Sequence, residues 1–298
     1  MDTDTRPAKR GRGKSQRSLE LVDTAKAILE EIQPASIRAV CYQLFNRQSI
    51  TAMTKAETDR VSRQLKWARE TGLIPWPWIV DETREAERVN AFENPEAFVQ
   101  VVKRSYRRDR WTDQPERIEV WSEKATIAGT LRPVLDTYGV TFRVMHGYGS
   151  TTQVHDIAVE SRVSSKRWTA LYVGDWDPSG LHMSEVDLPR RLAEYGGQVD
   201  VQRIALLRRD TPTLPSFLAT TKARDPRYRW FVDHYGPRCW ELDALSPAIL
   251  RDRVEDTILE RLDEHAWARA DVAERAEQES LSTILNAWPG ISRQTQKC

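Results

Sequence analysis

Cysteine is nearly missing from this chain. There are three in 298 residues, Cys41, Cys239 and Cys298, at no spacing that suits a disulfide framework or a thiolate metal site. That excludes disulfide-stapled scaffolds and zinc ribbons, and makes a reducing cytoplasm the expected compartment. Long hydrophobic runs are missing too. No apolar stretch approaches the roughly 20 residues of a membrane span, and Met1 to Arg17 lacks the apolar segment of a secretory signal. Net charge is only +1, so the whole chain is not a strongly basic nucleic-acid binder. A phosphate-binding P-loop is also lacking. Gly11-Arg12-Gly13-Lys14-Ser15 has the ending of one, but Ala8 stands where its first glycine belongs and no strand precedes it. No nucleotide-hydrolysis site is evident.

What is present is a globular composition, 40% hydrophobic and 30% charged, with length enough for two domains. Positive charge gathers in two places. Arg6 to Arg17 is a basic tail with no acid after Asp4, and residues 1–17 read as disordered. Lys103, Arg104, Arg107, Arg108 and Arg110 form a second cluster, with Tyr106 and Trp111 interleaved. Such clusters attract phosphate, although each also reads as a solvated face.

Residues 18–92 read as a three-helix unit. Leu19–Ile32 carries a helical apolar stripe that Pro34 stops. A second helix starts near Ser36, with Ile37, Val40, Cys41, Leu44 and Phe45 on one side. Thr54 and Glu57 form a capping box ahead of a third helix, which Gly72 closes. Leu73–Val80, with Pro75 and Pro77, reads as extended. Three helices and an extended hairpin-like segment suggest a winged helix-turn-helix. Lys55, Arg60, Arg63, Lys66 and Arg69 on the third helix are then the candidate DNA contacts.

Residues 93–116 read as a helix from Pro95 to about Arg107 and a polar linker. From 117 to 298 the pattern becomes α/β. Strands at 118–123, 140–145, 168–174 and 198–206 alternate with helices at 125–138, 151–163 and 180–195, which predicts a mostly parallel sheet. Residues 211–240 read as irregular, and a helical end runs from Ser246 to about Ala287.

Two strand ends carry the chemistry. Ile118–Ser122 stops at Glu123, and Leu171–Gly174 stops at Asp175-Trp176-Asp177-Pro178-Ser179-Gly180. Ligands of open α/β sheets sit beyond the carboxyl ends of strands. Adjacent strands would gather Glu123, Asp175 and Asp177 in one crevice, an oxygen-donor set suited to Mg²⁺, with Mn²⁺ as the alternative ion. Glu123 reads equally as a metal ligand or as a general acid–base. The Asp pair also reads as caps of the following helix. His146-Gly147-Tyr148-Gly149-Ser150 ends the strand between them. There His146 could donate to phosphate, and Ser150 could hold phosphate or cap a helix.

The order strand-Glu, Gly-Tyr-Gly-Ser loop, strand-Asp-x-Asp-Pro-x-Gly resembles the Toprim domain of type IIB topoisomerase A subunits and their meiotic break-forming relatives. Arg38-Ala39-Val40-Cys41-Tyr42 is similar to that family's winged-helix segment, with Cys41 where a first tyrosine often stands. Trp240-Glu241-Leu242-Asp243-Ala244-Leu245 also looks like a family segment. The resemblance covers roughly residues 20–200. It implies that Tyr42 attacks duplex DNA, forming a 5′-phosphotyrosine, with Arg38 assisting and Mg²⁺ held by Glu123, Asp175 and Asp177. It further implies a homodimer and a separate ATPase subunit. Read from the residues alone, Tyr42 is as much a core tyrosine of an amphipathic helix. Two alternatives follow: a Toprim nuclease that hydrolyses DNA without a covalent intermediate, as in plasmid defence, and a non-catalytic DNA-binding relative.

Overall fold

The computed structural model describes residues 14–80, 91–145 and 150–295. Three helices open the described chain, each begun by a hydroxyl that accepts from an otherwise unpartnered N–H. Ser15 caps α1 (Gln16–Ile32), Ser36 caps α2 (Ile37–Asn46) and Thr54 caps α3 (Lys55–Glu70). Their apolar stripes bury Ile28, Leu29, Val40, Leu44, Val61 and Leu65 in one cluster. Because Ser15 supplies the cap, Gln16 and Arg17 are helical and not part of the basic tail. Residues 1–13 lie outside the described residues.

The segment Leu73–Val80 departs from the extended run expected of it. Trp76–Trp78 forms one 3-10 turn, and only Ile79 is strand-like, in a bridge to Ala35. Proline fixes φ near a value that serves a tight turn as well as an extended chain. Arg69 then holds the turn by donating to the carbonyls of Trp76 and Ile79. No hairpin follows α3 among the described residues, and residues 81–90 lie outside them.

After α4 (Pro95–Ser105), four strands make a wholly parallel sheet: β1 (Glu116–Ser122), β2 (Thr141–Val144), β3 (Arg167–Val173) and β4 (Val199–Ala205). Their order is β2-β1-β3-β4. The crossovers use α5 (Ala128–Tyr138), α6 (Thr151–Val163), and a long helix made of α7 (Pro178–His182), a π turn and α8 (Leu188–Glu194). One core cluster centres on Val120, Leu131, Leu171 and Val254, and another on Trp121, Trp168, Tyr172 and Leu188. Two-sided burial explains the near-continuous apolar run of the central β3, while the edge strands β2 and β4 alternate and are half-buried. Within the sheet Glu119 is buried, accepting from Arg117, Arg143 and Trp121 Nε1.

The stretch 211–240 is more ordered than its composition suggests. It holds β5 (Phe217–Leu218) paired antiparallel with β6 (Arg238–Cys239), and α9 (Tyr228–Tyr235). These elements are too short to show a sequence period. Two helices follow, α10 (Pro247–Leu259) and α11 (Glu264–Thr295). Arg251 of α10 donates to the carbonyls of Ile32 and Pro34 at the end of α1 and of Thr130 in α5, joining the first helices to the sheet. Among the described residues no helix is long and apolar enough to cross a membrane.

Candidate active site

The chain winds outward in opposite directions from β1 and β3, so the crevice between their carboxyl ends is the sheet's switch point. The two strands are neighbours, with Ser122 opposite Val173. Glu123 and the Asp175–Gly180 turn therefore leave the sheet side by side, as the strand ends predict.

The turn is tightly specified. Asp177 caps α7, its Oδ1 accepting from Gly180 N–H at 2.7 Å. Position 180 must be glycine, because a Cβ there would overlap the Asp175 carbonyl oxygen. Below the turn, the Arg203 guanidinium donates to the carbonyls of Gly174, Asp175 and Gly180. From above, Trp176 and Trp240 exchange backbone hydrogen bonds of 2.9 and 3.0 Å, laying residues 240–243 across the crevice. Leu242 N–H donates to Asp175 Oδ1 at 2.8 Å.

That crossing brings two more acids, Glu241 and Asp243. Lys124 Nζ stands between the groups, 2.8 Å from Asp175 Oδ1 and 2.9 Å from Asp243 Oδ2. Lys222 pairs with Asp177 Oδ2. Arg38 of α2 pairs with Glu241 and lies 3.8 Å from Asp243. Five carboxylates (Glu123, Asp175, Asp177, Glu241, Asp243) thus face four cations (Arg38, Lys124, Lys222 and, beneath the turn, Arg203), an excess of one negative charge. Glu123 bears that excess. Its carboxylate has no hydrogen-bond or ion-pair partner among the described residues. Burial, then Asp177, then Asp175 push its pKa up.

The donor chemistry suits a hard divalent cation: carboxylate oxygens with net negative charge left over. The placement is different from the one expected. Glu123, Asp175 and Asp177 share one electrostatic neighbourhood, but lysine ammoniums satisfy the two aspartates. Among the described residues no group of three acid, histidine or cysteine side chains is close enough to hold a metal ion.

Tyr42 reaches this network from α2. It is 6% exposed, and its hydroxyl has no hydrogen-bond partner among the described residues. Arg38 lies over its ring, 5.7 Å from the centroid. The phenol pKa is pushed up to about 12, first by burial and next by Glu241. Arg38 and Lys124 pull the other way without prevailing. The thiol of Cys239, near Asp177, is likewise pushed up to about 12 by burial and is no nucleophile at neutral pH.

The remaining candidates separate. Ser150 caps α6, accepting from Gln153 N–H, and His146 lies outside the described residues. On α3, Arg60 pairs with Glu57, and Arg69 stacks on Trp76 at 4.3 Å while holding its turn. Lys55, Arg63 and Lys66 stay exposed, with Lys66 in a loose 3.7 Å pair with Glu70. The sequence reading missed the roles of Lys124, Lys222, Glu241 and Asp243. The Trp240–Leu245 segment singled out in the sequence holds Glu241 and Asp243 at acid-x-acid spacing, whereas no spacing signals Lys124 or Lys222. In comparison with known proteins, the chain matches no family model, no curated protein and no solved structure.

Proposed function

We propose that this protein is a divalent-metal-dependent enzyme that cleaves duplex DNA at the carboxyl edge of its sheet, with Tyr42 as the attacking group. The observation that carries this is the docking of α2 on that edge, through Arg38–Glu241 and Ser36–Asp243. It brings a tyrosine into the electrostatic field of a carboxylate cluster with charge to spare. Tyr42 Oη would attack phosphorus as the bond to O3′ breaks, forming a 5′-phosphotyrosine. The phenol proton passes to a base and O3′ takes a proton. Glu123, whose carboxyl is held above the usual carboxylate range by burial and the neighbouring Asp177 and Asp175, suits the donor to O3′. Arg38 would meet the phosphate once it leaves Glu241. Mg²⁺ or Mn²⁺ would be held by Asp175 and Asp177 in place of the Lys124 and Lys222 ammoniums, with Glu123 left as the proton donor, and would supply Lewis-acid stabilisation of the phosphoryl oxygens. The fold class, α/β with a parallel sheet, is compatible with a Toprim domain behind a winged helix. Lys55, Arg63 and Lys66 are the exposed DNA contacts in this reading. A homodimer and a separate ATPase subunit belong to it as well.

One observation favours a second reading, hydrolysis without a covalent intermediate. Tyr42 is almost wholly covered and its phenol is held up to about 12, far from a ready phenolate. The test is supercoiled plasmid with Mg²⁺ or Mn²⁺, quenched with detergent, with candidate ATPase subunits added in parallel. Transesterification predicts linear DNA carrying protein, lost in Tyr42→Phe. Hydrolysis predicts protein-free product from both forms. Asp175→Ala should lower either activity by roughly 10²–10³-fold. A variant that cuts at the wild-type rate would remove the carboxylate edge from the chemistry.

A further inference from the structure

The basic run from Lys103 to Arg110 takes no part in the carboxyl edge. In the structure it divides into fastened and free cations. Arg108 pairs with Glu277, Arg110 with Asp271 and Glu274, and Lys103 donates to Asn286. These fasten the last turn of α4 and the chain after it onto α11. Arg107 does not take part. Its Nη1 donates to the carbonyls of Arg104 and Tyr106 at 3.2 and 2.9 Å, and no carboxylate lies within ion-pair distance among the described residues.

Arg107 lines a cleft of about 600 Å³ at the amino ends of β1, β2 and β3. Across it stands Lys166, which donates to the carbonyls of Trp111 and Thr112 and likewise has no carboxylate partner. Carbonyl oxygens satisfy N–H groups but leave the cationic charge in place. The other two cations on the wall are neutralised. Arg108 is paired as above, and Arg117 lies 3.6 Å over the Trp168 ring while bonded to Glu119 and Glu160. The one acid among the lining residues, Asp109, accepts from Trp111 N–H and the Thr112 hydroxyl, neutral donors that turn its oxygens inward but leave its charge in place. The cleft therefore offers two unpaired cations with N–H donors to spare against a single acid, a net positive charge of one.

The volume falls in the range of a nucleotide-sized ligand. Arginine recognises an oxyanion through paired N–H groups, and lysine through point charge. We propose that this cleft binds a phosphate-bearing anion, at the sheet edge opposite the carboxylates. Such a phosphate could be a free phosphoryl ligand or part of a nucleic-acid backbone. The cleft stands whether or not the carboxyl edge cuts DNA.

The full chain is tested in EDTA, which removes divalent-ion chemistry. One arm titrates inorganic pyrophosphate by calorimetry at low salt. The other titrates a short fluorescent duplex by anisotropy over a salt series. Arg107→Glu is compared with Arg104→Glu, the same charge change on an exposed neighbour that does not line the cleft, and with Lys166→Gln. Circular dichroism checks that each variant is folded. Arg107→Glu should weaken binding by about tenfold or more relative to Arg104→Glu, with Lys166→Gln moving the same way. If only the pyrophosphate arm responds, the ligand is a free phosphoryl compound. If the duplex arm responds, with a salt slope smaller by about one, the ligand is backbone phosphate. The proposal is overturned if the wild type binds neither probe. It is equally overturned if Arg107→Glu and Arg104→Glu lose the same amount in both arms.

Discussion

The two edges of the parallel sheet carry opposite charge. At the carboxyl ends, acids outnumber cations and Glu123 is left unpaired. At the amino ends, Arg107 and Lys166 have only carbonyl partners. The winding of the chain accounts for both. In βα units the helices run against the strands, so helix N-termini gather at the carboxyl edge and C-termini at the other. Helix dipoles favour anions at the first and cations at the second. Asp177 sits at the start of α7, whereas Arg107 follows the end of α4 and Lys166 the end of α6. The fold itself thus sorts charge between two separate sites.

The contrast can be broken most severely from the middle. Glu119 lies between the edges, buried, and holds Arg117 and Arg143. Glu119→Gln should cost about 3 kcal/mol in urea unfolding, the low end for splitting a buried pair because both arginines keep some water contact. A loss below 1 kcal/mol would mean that the arginines find other partners. The carboxyl edge is broken more gently by Gly180→Ala, whose methyl meets a backbone carbonyl that cannot move aside. About 1–3 kcal/mol of destabilisation is expected in the same assay, typical of overpacking. The smallest effect sharpens the comparison. Glu123 has a raised pKa, so its ionisation at neutral pH opposes folding. That penalty is absent below the ordinary carboxylate range and appears as pH rises through the folded-state value. Glu123→Gln in metal-free buffer should therefore raise Tm near pH 7 and give no gain below about pH 4. A Tm gain that is constant with pH would show that charge repulsion is not its cause.

Much of this was legible in the chain, for local reasons. Ser36, Thr54, Asn94 and Ser150 are helix caps that act within three residues, and all four do so. The ends of β1 and β3 could be placed because apolar strands stop sharply at acids. What stayed hidden depends on distant partners. Lys222 meets Asp177 across 45 residues, and Arg38 meets Glu241 across 203. No spacing rule connects them. The division of the basic run was hidden for the same reason, since the acids that neutralise Arg108 and Arg110 lie on α11. On α3, Arg69 looked like a phosphate contact, yet the Trp76 turn claims it.

Arg251 gives the molecule a mechanical property. One guanidinium ties the end of α1, the link from α1 to α2 and the first turn of α5 together. A partner that drew the first three helices off the sheet to uncover Tyr42 would have to strip the Ile32 and Pro34 carbonyls from that single side chain together, while its hold on Thr130 stayed behind. Arg251 is thus one latch on the first helices, acting beside the Arg38–Glu241 and Ser36–Asp243 contacts of α2.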